Sequence, residues 1–242
     1  MPALLKPALA GPADVTIVGD VKLDDAIAAV QDTFGAGDQA PRLKSPEPTV
    51  TLSAESGGPF EARHAGRADQ AFYGELWPMP DYFTDPKTSY AADVAAAVLG
   101  SRLVDLVREK LGLTYSPQVR ALTSIELKGQ GSFAAVLETP AANFDTFHTL
   151  LAAQIAELAS KPVSADELER AKRPLIESRS KDFETNGYWV RSLQLILRDP
   201  RARTPVLEQA NGIKAITAAD VQTIFANRLK GKVSTRVIAK AK

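Results

Sequence analysis

The sequence predicts an α+β protein with a largely antiparallel sheet and helices packed on one face. Two observations carry this. Strand-like runs cluster early and in the middle of the chain, with helices in runs instead of strict alternation. The stretches 94–106, 144–158 and 167–183 also carry apolar stripes at helical spacing, which must be buried against something. No internal repeat, low-complexity tract or linker divides the chain, so 1–242 reads as one domain.

Taken in order, 14–19 is rich in β-branched residues between Gly11-Pro12 and Gly19-Asp20, and reads as a buried strand. Leu23, Ile27, Val30 and Phe34 repeat with helical spacing, and Gly35 and Gly37 end that helix. Residues 36–48 have no period and read as a connection. Thr49–Leu52 and Phe60–Ala65 are strand candidates around Gly57-Gly58-Pro59, and 70–77 alternates with aromatics in both sets, as an inner strand does. Pro78, Pro80 and Pro86 then break the chain before a central helix that starts near Lys87. Val94, Val98, Leu99, Leu103 and Leu106 form its buried stripe, Arg108 lies off the stripe, and Gly112 stops the helix.

Two strand-like runs follow, 113–125 and 132–138, joined around Gly129-Gln130-Gly131 as an antiparallel hairpin. A helix over 142–160 carries Phe144, Phe147, Leu151, Ile155 and Leu158 on one face. Ser164-Ala-Asp-Glu167 reads as a capping box that opens a further helix to about 185. Its charged run 167–173 reads as a solvated face. A shorter helix over 188–197, a helix start at Thr217-Ala-Ala-Asp220 and a strand over 233–239 complete the pattern.

Composition excludes several classes. The formal net charge is zero, which argues against nucleic acid or an anionic membrane surface as partner. With no cysteine, disulfides, thiolate catalysis and thiolate zinc sites are all ruled out. No apolar run reaches the roughly 18 residues that a membrane-spanning helix needs, so no membrane insertion is expected. There is no Gly-x-Ser-x-Gly elbow and no phosphate-binding Walker loop, and Gly129-Gln130-Gly131 leads into a strand, as a hairpin turn would. His64 and His148 are far apart, neither has a second histidine within a helical turn, and each reads as a surface or half-buried imidazole.

Arg108-Glu109-Lys110-Leu111-Gly112-Leu113-Thr114-Tyr115 joins the end of the central helix to the next strand. Read from the residues, an arginine in a last helical turn complements the helix dipole, and a tyrosine early in a strand packs half-buried. This stretch resembles the second-half signature of the insulinase and mitochondrial-processing-peptidase superfamily, the inverted zincins of peptidase family M16. Val15-Thr-Ile-Val-Gly-Asp20 with the helix to Phe34-Gly35 resembles that family's domain-opening strand and helix. Glu184-Thr-Asn-Gly-Tyr-Trp189 is similar to the last domain of long, two-repeat bacterial members.

The resemblance implies a LuxS/MPP-like metallohydrolase fold and a chain that is the carboxy-terminal, non-metal domain of a longer bacterial zinc endopeptidase. In such members Arg108 and Tyr115 would be the catalytic contribution of this half, completing a site whose zinc is held by another domain through His-x-x-Glu-His. This chain has no such motif, so it implies no metal or cofactor site here and no hydrolysis by the chain alone. The implied partners are the zinc-bearing domain, in the same or a second chain, and a peptide bound as an extended strand at a sheet edge. The resemblance also favours a periplasmic location over a cytoplasmic one. The rival reading is a catalytically silent scaffold or binding subunit of the same fold.

Overall fold

In the computed structural model, which describes residues 13–35, 59–67, 69–112 and 117–242, the elements in chain order are α1 (Leu23–Phe34), β1 (Phe60–His64), β2 (Ala71–Pro78), α2 (Pro86–Leu111), β3 (Gln118–Thr123), β4 (Gly131–Thr139), α3 (Phe144–Ser160), α4 (Ala165–Asp182), α5 (Asn186–Arg198), α6 (Arg203–Ala215), α7 (Ala218–Ile224) and β5 (Thr235–Ala241). They form two compact units, one of Met1–Thr49 with Ser180–Leu207 and one of Val50–Arg179 with Glu208–Lys242.

The larger unit holds a five-stranded sheet in the order β1-β5-β2-β4-β3. It is antiparallel at every ladder but one: β1 runs parallel to β5. The expected inner strand is β2, hydrogen-bonded to β5 on one side and β4 on the other. Its register pairs Tyr73 with Leu137, Glu75 with Ala135 and Trp77 with Phe133, so these six side chains share one face. That face is buried, while Phe72, Leu76, Ala134 and Val136 on the opposite face stay half-exposed. Helices cover the buried face. Tyr73 meets the α3 rings of Phe144 and Phe147 at 5.6 and 5.4 Å between centroids, and Phe133 meets Phe225 after α7 at 6.4 Å.

α2 begins at Pro86, next to the start expected near Lys87. Asp85 accepts a hydrogen bond from the Thr88 N–H at 3.0 Å, and Pro86 occupies the first helical turn, where its missing N–H costs nothing. Its buried stripe runs through Val94, Val98, Leu99, Leu103 and Val107, with Leu106 only half-buried, so the last turn is aimed one residue further than the spacing suggests. Each fully buried aliphatic side chain here stabilises the fold by roughly 1.5–3 kcal/mol.

α4 opens at Ser164, whose hydroxyl accepts from the Glu167 N–H at 3.2 Å. The return half of the expected capping box is replaced. Glu167 Oε1 and Oε2 accept instead from Arg102 Nε and Nη2 at 2.6 and 3.0 Å, because a bidentate guanidinium is a stronger donor set than one backbone N–H. Lys172 on the same helix is buried and donates to the carbonyls of Lys214 and Ile216 at 2.7 and 3.1 Å, capping the end of α6.

Asp93, on α2, is partly enclosed, and burial raises its carboxyl pKa to about 6 against the lowering effects of Arg179 and Gln209. A raised carboxyl favours folding below its unfolded value of 3.8, and the advantage is lost as pH rises through about 6. The Asp93→Asn variant should therefore gain on wild type by about 1–2 kcal/mol between pH 4 and pH 7, as read from urea midpoints at the two pH values.

The smaller unit contains α1 and α5. Thr185 caps α5 by accepting from the Tyr188 N–H at 3.3 Å, Tyr188 donates its hydroxyl to the Val206 carbonyl at 2.8 Å, and Trp189 donates its indole N–H to the Phe183 carbonyl at 2.8 Å. α1 forms where its spacing predicts it, but Leu23, Ile27 and Phe34 remain exposed. The strand expected over 14–19 pairs with no described strand, and its Val15 and Ile17 are exposed as well. The strand candidate 49–52 lies outside the described residues.

Candidate functional site

The end of α2 carries the site singled out in the sequence. Val107 faces the core, so the next residue is turned outward: Arg108 has 68% of its side chain exposed and meets Asp105, one turn back, at 3.7 Å. Such an exposed pair contributes at most about 1 kcal/mol and leaves most guanidinium donors open. Gly112 closes the helix with φ +60° and ψ +21°, the left-handed conformation that glycine adopts without a Cβ penalty. Tyr115 belongs to 113–116, outside the described residues. The described chain resumes before β3, which ends at Thr123, two residues short of the expected end at 125, because Ser124–Gln130 turn back toward β4.

β3 is an edge strand. It pairs with β4 alone, in the register Gln118 to Val136 through Thr123 to Gly131, so among the described residues its other edge is unpaired. α2 packs against this strand at Gly100, where an added Cβ would lie 3.7 Å from the Val119 Cβ. The helix end with Arg108 and the open edge of β3 are therefore parts of one supersecondary unit.

Two polar clusters were missed by pattern reading. The first surrounds Glu75, only 6% exposed in the middle of β2. Its Oε2 accepts from the Tyr73 hydroxyl at 2.8 Å and lies 3.0 Å from His148 Nδ1, and its Oε1 accepts from Ser234 Oγ at 2.7 Å. His148 Nδ1 also lies 2.9 Å from the Tyr73 hydroxyl, so Tyr73, Glu75 and His148 form one hydrogen-bonded cluster. Burial and the neighbouring Glu75 charge both raise the Tyr73 phenol pKa, which keeps it a donor. The second cluster is built on Arg102, which joins α2 to Glu167 on α4 and, at 3.1 Å, to Glu157 on α3. Those hydrogen bonds hold the Glu167 carboxyl below its ordinary range. A signal existed for each: a lone glutamate inside Phe72-Tyr-Gly-Glu-Leu-Trp77, and an arginine between Leu99 and Leu103 on an apolar helix.

Among the described residues no group of three or more His, Asp or Glu could hold a metal ion. His64 ends the edge strand β1, with Nδ1 accepting from the Gly66 N–H at 3.0 Å, and His148 lies on α3. The structure does not bring them together.

The sheet is antiparallel at every ladder but one and is covered by helices on one face, and no metal-ligand cluster occurs among the described residues. The match to the Peptidase M16 inactive domain family extends over residues 11–175, and the chain belongs to that family. Among solved structures, a protease from Helicobacter pylori shares the fold at a TM-score of 0.73 and 16% identity, covering 92% of this chain and 53% of that one. A peptidase M16 inactive domain from Pseudomonas fluorescens gives 0.64 and 23%, covering 93% and 52%. The periplasmic protease PqqL from Escherichia coli gives 0.68 and 17%, covering 93% and 25%. The chain thus spans about half or less of these proteins. A search of curated proteins found no match.

Proposed function

We propose that this chain is the non-metal domain of a zinc-dependent endopeptidase, completing an active site whose zinc is held by a second domain, in the same chain or a partner chain. Arg108 and Tyr115 are the residues assigned to that role, and the substrate is a peptide. The observation that carries this is the state of Arg108: exposed at the end of α2, with Asp105 at 3.7 Å as its ion partner among the described residues, on the helix whose Gly100 packs against the open-edged strand β3. A guanidinium there can donate to a peptide carbonyl, and a phenol can donate to the oxyanion formed when zinc-bound water attacks. The unpaired edge of β3 suits an extended peptide held through backbone hydrogen bonds. No described helix is long and apolar enough to cross a membrane, and a periplasmic setting, as printed for the Escherichia coli relative, is proposed for this chain too.

The chain alone should neither retain zinc nor cleave peptides. Dialysis against zinc followed by elemental analysis should find no stoichiometric ion, and peptide hydrolysis should appear only when a domain bearing His-x-x-Glu-His is supplied. A tightly held ion at one per chain, or zinc-dependent cleavage by the chain alone, would sink this reading.

A further inference from the structure

We propose that the groove between α2 and α4 receives an uncharged, apolar side chain of a peptide lying against Arg108, so that its lining sets specificity; this rests on the peptide-binding reading above. The groove encloses about 370 Å3, toward the lower end of the ~300–1,000 Å3 typical of ligand clefts. Its apolar walls come from Ala97 on α2 and from Ala171, Pro174 and Leu175 on α4.

The charged groups of the lining are already paired. Arg102 is held by Glu167 and Glu157 and is neutralised in place. Asp105 and Arg170, the other charged lining residues, are paired as well, with Arg108 at 3.7 Å and with Asp166 at 2.9 Å, so each lining charge already has a partner and a charged side chain would have to compete for it. Asp105 is also the residue that meets Arg108 at 3.7 Å, which places the groove margin one helical turn from the proposed site.

Pro174 adds a backbone feature. It sits inside α4 and has no N–H, so the carbonyl of Arg170 loses its ordinary helical donor, and both residues line the groove.

The test uses the full 242-residue chain and short dye-labelled peptides of alternating alanine and threonine that differ only at one central residue, leucine, serine or lysine, with binding read by fluorescence anisotropy. The leucine peptide should bind about tenfold more tightly than the other two. Ala171→Leu, which fills the groove with a good helix former, should abolish that preference and leave the serine peptide unchanged. Ala97→Leu, from the opposite wall, should do the same, and circular dichroism with thermal midpoints establishes that each variant is folded. Arg108→Ala should weaken all three peptides alike. Equal binding of the three peptides to wild type, or a leucine preference that survives both folded variants, overturns the groove assignment and leaves the peptide-binding reading standing. If no peptide binds wild type, both fall.

Discussion

Replacing Glu75 with leucine is expected to destabilise the protein by about 3 kcal/mol, the largest stability loss of any single change proposed for this chain. Leucine fills a similar volume, so the effect is one of hydrogen bonding. Tyr73 Oη and Ser234 Oγ lose their acceptor at 2.8 and 2.7 Å, and the tyrosine is only 2% exposed, so the polar atom still within its reach is His148 Nδ1 at 2.9 Å, which accepts only in the Nε2–H tautomer. His148, with 41% of its side chain exposed, can rehydrate, so His148→Ala should cost much less, about 1 kcal/mol. Urea denaturation of the two variants checks the ordering. If Glu75→Leu unfolded at the wild-type midpoint, the network would be dispensable, and the buried carboxylate would need another explanation.

The same residues show what the sequence could and could not disclose. Alternation over 70–77 with aromatics in both sets suggested an inner strand, and β2 is inner in having a ladder on each edge, although the face of Phe72 and Leu76 stays half-exposed. The helices over 94–106 and 142–160 were legible because their stripes face a core that Tyr73, Trp77 and Phe133 also fill. α6 was not anticipated at all. Pro200 opens a short 3-10 turn capped by Asp199, and Pro205 falls in the first turn of α6, where its N–H is not needed. The parallel ladder of β1 with β5 was also beyond reach, since it depends on where a distant strand inserts. At the site, helix end, glycine cap and outward arginine were all readable from spacing, and Tyr115 lies outside the described residues. Partners such as His148 for Glu75 and Glu167 for Arg102 are set by tertiary packing across dozens of residues, which no local pattern encodes.

In the assembled enzyme, Arg108→Ala is expected to lower kcat/KM by roughly ten- to a thousandfold, with KM rising as kcat falls. A guanidinium on a peptide carbonyl acts in both the bound substrate and the transition state, so its loss is felt in both constants. The fold should hardly notice. Arg108 is exposed and its ion partner among the described residues, Asp105, is exposed too, so stability should change by no more than about 1 kcal/mol and zinc should remain bound. Loss of zinc or unfolding on this substitution would instead mark Arg108 as a structural residue, and the silent-scaffold reading would gain.

The central claim, that this domain finishes a zinc site built elsewhere, meets its most direct test at Tyr115. Tyr115→Phe keeps the ring and removes one hydrogen-bond donor, so single-turnover peptide cleavage by the assembled enzyme should slow by roughly ten- to a thousandfold while zinc content, KM and thermal midpoint stay near wild type. Full turnover by that variant with its metal still bound would contradict the account.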